Sequence, residues 1–389
     1  MNTILAWSLS QGANALNVLA GICIAHIVSP YEFSRFATLS AAIAIMSAVL
    51  NPMINEIAQR VARDRIIEIT ALRSRTLFAI ATCCGIGVIA CASIVTTSLE
   101  AALVYVLIPI LLVGQSWAVG FFYGLHRMVA VGSVLCVASI LRLVILLGLM
   151  WTGFIFGGIA LSYLVGFLLT VIASQYLLSS HIRASRSKDW TTNWKLLCGF
   201  FLLALPFSVD QPIIQAIFPE SSADYAALMT YARSVMLLAG PALTIVYSTL
   251  IQHQSDQQLL SKSPGLLSSL LIATILAGGL ALTLWLCNPI LFPLLLGSKY
   301  LHLTPYLATA LAAMALCVVS YFLVQRLLLS CTWWLCAALA LPVIVQGLLF
   351  ALRSTPSIAQ LTVVSVVTFS LQCAIAVGAT YLDYKGMQS

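Results

Sequence analysis

Three charged side chains lie well inside long apolar runs: Arg142, Asp210 and Arg233. A charge at the bilayer centre costs about 2.5 to 3.5 kcal/mol on insertion scales, which makes each of them a candidate for function. Glu56 and Arg326 sit near the ends of runs, where a long side chain reaches the interface. Amides and hydroxyls cluster in the same runs. At helical spacing Ser10, Asn14, Asn17 and Gly21 share one stripe of the first run, and Ser40, Ser47, Asn51 and Asn55 share one of the second. Ser208, Gln211 and Gln215 mark a later run, and Thr230, Arg233, Ser234, Pro241, Thr244 and Ser248 the one after it. Guanidinium groups bind oxyanions and amides bind hydroxyls, so the implied chemistry is recognition and passage of a polar solute.

A single Ser or Thr in such a stripe reads as packing between helices, worth about 0.6 kcal/mol per hydrogen bond. Asn and Gln concentrated in runs that occupy equivalent places in two halves read instead as the lining of a hydrated cavity. The candidate binding residues are therefore Asn14, Asn17, Asn51, Asn55, Arg142, Asp210, Gln211, Gln215 and Arg233. The 11 cysteines, Cys83, Cys84, Cys91 and Cys136 among them, lie almost all in apolar runs and have neither metal-ligand nor disulfide spacing. There is no GxxxxGK[ST] loop, no HExxH and no Gly-rich dinucleotide fingerprint. No cofactor, no ATP hydrolysis and no enzymatic activity are expected; pumping would draw on an ion gradient or the substrate's own.

The elements that must position these residues follow from composition. Of 389 residues 61% are hydrophobic and 7% charged, against the ~25% charged of a soluble domain. The runs stay apolar on every side, which excludes a β-barrel and leaves an all-α, polytopic membrane protein. Runs long enough to cross a bilayer fall at about 5 to 27, 36 to 57, 76 to 97, 101 to 123, 133 to 153 and 156 to 179. Six more fall at about 196 to 218, 225 to 251, 265 to 287, 302 to 325, 332 to 351 and 360 to 382, giving twelve transmembrane helices. The first run has no Lys or Arg before Arg35 and reads as a retained helix rather than a signal peptide.

Loops after the even-numbered helices and the carboxyl tail hold Arg60, Arg63, Arg65, Arg73, Arg75, Arg127, Arg183, Arg186, Lys188, Lys195, Lys262, Arg326 and Lys385, while the other side holds Arg35, Lys299 and Arg353. That bias places both termini in the cytoplasm, and the net charge of +7 serves topology rather than nucleic acid. A shift of 189 positions lays Pro30 on Pro219, Phe36 on Tyr225, Ala37 on Ala226, Leu39 on Leu228 and Pro52 on Pro241. The chain thus divides into lobes 1–180 and 196–389 joined by a cytoplasmic linker 181–195. Six helices per repeat is even, so the lobes are related by a pseudo-twofold axis along the membrane normal.

Pro206 and Pro212 remove amide donors from helix 7 and allow it to bend. With the turn between helices 7 and 8 centred near Ser221 and Ser222, Asp210 and Arg233 lie at equal depth. In ideal helical phase Asp210 points away from Gln211 and Gln215, so an Asp210–Arg233 pair requires Pro212 to distort helix 7 or the helices to rotate.

Four stretches, Ser29 to Phe36, Tyr123 to Arg127, the helix-7 residue Asp210 and Leu295 to Tyr300, resemble motifs of the polysaccharide-flippase (Wzx-like O-antigen translocase) branch of the multidrug/oligosaccharidyl-lipid/polysaccharide exporter superfamily. Ser29-Pro30-Tyr31-Glu32-Phe33-Ser34-Arg35-Phe36 is similar to that branch's G-P-E-E-F-G-x-Y turn, with serine at both glycines. Tyr123-Gly124-Leu125-His126-Arg127 resembles its G-L-G-R turn, Asp210 its helix-7 aspartate, and Leu295-Leu296-Gly297-Ser298-Lys299-Tyr300 its L-x-G-x-x-Y. The resemblance implies a flippase of the bacterial inner membrane that carries undecaprenyl-diphosphate-linked oligosaccharide between leaflets by alternating access. It implies membrane lipid and a lipid-linked oligosaccharide as partners, with a polysaccharide polymerase and chain-length regulator beside them. On that view the amides meet sugar hydroxyls, and Arg142, with no acidic partner evident, is the cation most available to a diphosphate.

Rival readings differ in what they require. A drug or small-cation exporter of the same superfamily should carry more acidic than basic intramembrane groups, whereas Arg142 and Arg233 outnumber Asp210. An O-antigen polymerase or ligase resembles chains with a large charged periplasmic loop, absent here, and a structural scaffold has no use for polar stripes.

Overall fold

In the computed structural model, which describes residues 2–64, 69–125, 127–178, 194–239, 266–327, 332–352 and 356–386, the regular elements are all helical. The chain forms two compact units, Met1–Leu197 and Cys198–Ser389. The first holds α1 (Asn2–Ile27), α2 (Pro30–Asp64), α3 (Ile69–Cys91), α4 (Ser98–Ala102), α5 (Ile108–Gly124), α6 (Met128–Trp151) and α7 (Ile155–Leu178). A π-helical turn, Leu103–Leu107, joins α4 to α5, so Ser98–Gly124 is one span. The second unit begins within α8 (Trp194–Ser208) and continues through α9 (Asp210–Ile217), α10 (Pro219–Ala232), α11 (Leu266–Leu286) and α12 (Asn288–Leu296). A 3-10 segment, Ser298–Tyr306, then leads into α13 (Leu307–Leu327), α14 (Trp333–Ala351) and α15 (Ile358–Gly386).

Seven described helices are long and apolar enough to cross a membrane, or nine when each of two bent pairs counts as one span. Gln11–Ile27 and Phe78–Cys91 are shorter apolar stretches of α1 and α3. Helix 8, expected to run to 251, is described to 239, so Pro241, Thr244 and Ser248 lie outside the described residues, as does all of the 181–195 linker but its last two positions.

Packing repeats between the units. In the first, α1 lies on α6, α2 on α5, and α7 on both α5 and α6. In the second, α9 lies on α14, α10 on α13, and α15 on both α13 and α14, the same pairs in repeat order. Each unit's second helix opens on a proline, Pro30 or Pro219, where a missing amide hydrogen leaves no helical bond unmade.

Two helix pairs are bent at a break: helix 7, which reads as one run, and the 265–287 helix against a segment that lies beyond its run. Cys198–Ser208 and Asp210–Ile217 meet at 48°, because Pro206 and Pro212 each lack the N–H that would continue the ladder and the Pro212 ring crowds the carbonyl a turn before it. Leu270–Leu286 and Asn288–Leu296 meet at 83°. Beyond the second break Gly297 adopts φ 87°, a conformation that a side chain disfavours, which accounts for the glycine in the Leu295-to-Tyr300 motif. The turn between helices 7 and 8 is also shorter than expected. It is the single residue Phe218, and Ser221 and Ser222 already belong to α10, because Pro219 starts the helix at once.

Candidate functional site

Each unit contains a polar centre within its helices. In the first, α1, α2, α6 and α7 supply it. Arg142, on α6, donates from Nη1 to Oδ1 of Asn17 on α1 at 3.0 Å. Its guanidinium carbon lies 3.4 Å from the ring centroid of Tyr163 on α7, a separation at which the two planes stack. The Tyr163 hydroxyl is 3.1 Å from Oγ of Ser40 on α2, so the ring under the guanidinium is tethered. Nε of Arg142 is buried and has no hydrogen-bond partner among the described residues, and no described carboxylate pairs with this arginine. Asn17 is exposed and Asn14, a turn earlier, half-buried. Asn51 and Asn55 lie on α2, and their side chains are outside the described ones.

The second centre is built on the break between α8 and α9. Asp210, fully buried, opens α9 and accepts three hydrogen bonds, from Nη2 of Arg233 at 2.8 Å, the Tyr225 hydroxyl at 2.7 Å and the Gln211 amide at 2.8 Å; the Tyr225 hydroxyl also lies 2.9 Å from Oγ of Ser365. Arg233 also donates to the Phe207 carbonyl at 2.9 Å, one of the groups orphaned by the break. Gln346 of α14 donates to the Pro206 carbonyl at 3.0 Å and Gln372 of α15 to the Leu203 carbonyl at 3.1 Å. The Phe207 and Pro206 carbonyls, which a continuous helix would have bonded internally, are thus satisfied by side chains from other helices, which is what a break needs in an apolar setting, and Gln372 adds a bond one turn earlier. Gln211 donates to Ser222 Oγ at 3.0 Å, and that hydroxyl donates to Gln215 Oε1 at 2.7 Å, fastening α9 to α10.

The Asp210–Arg233 pair therefore forms, by the distortion of helix 7 that it requires rather than by equal depth. With Phe218 as the turn, Arg233 lies farther along its helix than Asp210 does along α9, and it reaches back because helical side chains lean toward the helix N-terminus. Sequence reading did not single out Tyr163, Tyr225, Ser365, Gln346 or Gln372. The two glutamines carried a usable signal, amides in apolar runs; the tyrosines and Ser365 carried none beyond their types. Buried oxygens of Ser208, Gln211, Gln346 and Gln372 have no partner among the described residues around the break, nor has Nε of Arg233.

Charge separates the two centres. Among the described arginines buried in the first unit, Arg35 has Glu32 at 3.1 Å and Glu100 at 2.8 Å, and in the second unit Arg233 has Asp210. Arg142 has an amide oxygen and an aromatic face. Both attract a cation without cancelling its charge.

No protein-family model matches the sequence, and no curated protein resembles it in sequence. Solved structures do resemble its fold. A MATE protein crystallised in complex with MaD5 superposes with a TM-score of 0.69 at 13% identity, covering 100% of this chain and 96% of that one. An outward-facing multidrug resistance MATE family transporter of the MOP superfamily gives 0.68 at 12% identity, again over 100% and 96%. A MOP superfamily transporter from Pyrococcus furiosus, described as having a binding pocket of reverse polarity that suggests a different function, gives 0.53 at 12% identity over 100% and 92%. The chain has the all-helical, two-lobed fold of MATE transporters and is built as a multi-pass membrane protein.

Proposed function

We propose that this protein is a flippase that moves undecaprenyl-diphosphate-linked oligosaccharide, an O-antigen or other surface polysaccharide repeat unit, across the bacterial inner membrane by alternating access. The fold, which it shares with membrane transporters, supports carriage of a solute. The observation that carries the finer reading is Arg142, a cation inside the helices of the first unit with only neutral partners among the described residues. An arginine in that condition attracts an anion, and a diphosphate offers it paired oxygens. Asn17, exposed beside it, and Asn14 offer amide groups to the sugar. Asp210, Gln211, Gln215 and Arg233 bond one another in the second unit, so their part is to hold the helix break that lets that unit rearrange.

The drug or small-cation antiporter is the second reading, and it draws on the multidrug transporters of like fold. It needs a carboxylate free to take up a cation. The described intramembrane carboxylate of the second unit is already held by Arg233, Tyr225 and the Gln211 amide. Neither reading makes the protein an enzyme, and the polymerase and chain-length regulator remain proposed partners of the first.

Translocation of defined lipid-linked oligosaccharides into proteoliposomes, with and without a proton or sodium gradient, tests the proposal. Transport that falls at least tenfold in Arg142→Ala supports it. Efflux of a lipophilic cation with no movement of the oligosaccharide lipid overturns it.

A further inference from the structure

All three described arginines that enter these helical cores lie over an aromatic ring: Arg35 over Phe156 at 3.9 Å, Arg233 over Phe207 at 5.1 Å and Arg142 over Tyr163 at 3.4 Å. Stacking therefore does not distinguish Arg142. What distinguishes it is the state of its donors. On Arg35, Nε donates to the Ile94 carbonyl at 2.7 Å, Nη1 to Glu32 at 3.1 Å, and Nη2 to Thr96 at 3.3 Å and Glu100 at 2.8 Å, so each nitrogen is engaged. On Arg142 the described partner is Asn17, and it takes Nη1 alone. Nη1 is the nitrogen on the side of the side-chain stem. The opposite edge, where Nε–H and one Nη2–H point the same way, is the fork that grips two oxygens of a carboxylate or phosphate.

The plane of that fork is set by Tyr163. At 3.4 Å the guanidinium must lie flat on the ring, since a tilt would drive N–H hydrogens into ring carbons. The hydrogen bond between Tyr163 and Ser40 at 3.1 Å keeps the ring from following the arginine when a ligand pulls on it.

Resting on the reading of Arg142 as the substrate-binding cation, we propose that Tyr163, anchored by Ser40, is a positioning residue that makes Arg142 a bidentate receptor for a phosphate group through Nε and Nη2. The tyrosine takes the place a counter-carboxylate would fill. It offsets part of the cost of burying the cation while leaving both the charge and the fork to the ligand.

The test is binding by the purified full-length protein in nanodiscs, measured calorimetrically with farnesyl diphosphate, and with inorganic diphosphate as a second arm that separates headgroup from lipid. Arg142→Lys keeps the charge but loses the planar fork, and is expected to weaken farnesyl diphosphate binding about tenfold. Tyr163→Phe and Ser40→Ala each remove the tether, and each is expected to weaken binding about threefold, with the double variant no weaker than either. Tyr163→Leu, which removes the ring, is expected to fall to the level of Arg142→Lys. If Tyr163→Leu does not fold, the tether variants decide. Wild-type affinity in Arg142→Lys overturns the fork, and additive losses in the double variant overturn the tether. A wild-type protein that binds tetraphenylphosphonium and neither diphosphate overturns the flippase reading itself, a result distinct from either.

Discussion

Oδ1 of Asp210 and Nη2 of Arg233 lie 2.8 Å apart across a break in helix 7, and the same Nη2 reaches the Phe207 carbonyl that the break exposes. One guanidinium nitrogen thus neutralises a fully buried carboxylate and caps a severed helix. The carboxylate in turn holds Tyr225, which reaches Ser365 on α15. Charge pairing and helix distortion are one structure here. Without the 48° bend Asp210 would not face α10, and without Arg233 the exposed carbonyl would be unsatisfied in an apolar interior.

Removing one partner should therefore be worse than removing both. Asp210→Ala strands Arg233 as a buried charge, with an expected loss of about 3 to 5 kcal/mol. Arg233→Ala should be milder, since Asp210 keeps Tyr225 and the Gln211 amide. The double variant should recover part of the loss in thermal stability and in membrane-corrected transport. Strictly additive losses would show that the pair contributes nothing as a pair.

The amides that cap the same break make a separate prediction. Gln346→Leu leaves the Pro206 carbonyl without its side-chain donor, and Gln372→Leu removes the amide that bonds the Leu203 carbonyl. Each is expected to lower stability by about 1 to 3 kcal/mol, read as a fall in the detergent melting temperature. Unchanged melting in both would mean that water replaces the amides without loss.

Arg35 makes a stronger case for the first unit. It joins α2 to the segment preceding α4 through Ile94 and Thr96 and to α4 itself through Glu100, and its side chain is 4% exposed. Arg35→Lys cannot reproduce the spread of donors and is expected to destabilise nearly as much as Arg35→Ala, by about 3 to 5 kcal/mol. A lysine variant that melts with the wild type would reduce this network to a simple charge contact.

How much of this was legible beforehand depended on the kind of signal. Hydropathy located the helices, because burial in lipid demands apolar side chains on every face, but it did not mark their ends: α2 extends to Asp64 although its apolar run stops near 57. Intramembrane charge pointed to Asp210, Arg233 and Arg142, since a charge in an apolar run is conspicuous whatever it touches. Tyr163 and Tyr225 were illegible because a tyrosine suits an apolar helix equally well as filler, and only the position of its hydroxyl reveals a role. The break at Val209 was half legible: the prolines predicted bending, while the direction that turns Asp210 toward Arg233 goes with the contacts that α14 and α15 make to the broken helix through Gln346 and Gln372.

The cation bias of the loops predicts that both termini lie in the cytoplasm. A reporter fused after Asp383 is expected to be active only in its cytoplasmic form. On a background without native cysteines, Asn17→Cys, at a polar position the protein does not cover, should react with a membrane-impermeant thiol reagent in at least one state, and Asn14→Cys more weakly. A periplasmic reporter signal would reverse the assignment of sides, and an unreactive position 17 would remove it from the solvated path.

The Tyr123-to-Arg127 motif owes its glycine to packing. Gly120 and Gly124 stand one turn apart on α5, a small-xxx-small spacing that lets two membrane helices approach closely. At Gly124 an added Cβ would come 2.7 Å from the Ala58 carbonyl oxygen and 2.5 Å from Val61 Cβ, and at Gly120 3.0 Å from the Ile54 carbonyl oxygen. The neighbours at 124 are backbone and a β-branched stem, neither of which can turn aside. The contacts climb together, 54 and 57 with 120 and 58 and 61 with 124, so α2 and α5 run parallel, as two even-numbered spans must. Around them Ile57, Val61, Phe121, Phe122 and Val131 form one buried cluster, which any parting of the helices would open. Gly124→Ala is therefore expected to cost more than Gly120→Ala, about 1 to 3 kcal/mol for the overpacking, seen as a lower melting temperature and reduced membrane yield. Gly148→Ala, with nothing within 4 Å of its added Cβ, is the control and should melt with the wild type. Equal melting of Gly124→Ala and Gly148→Ala would show that α2 can move away from α5 freely, and the glycine of the motif would then have no packing role.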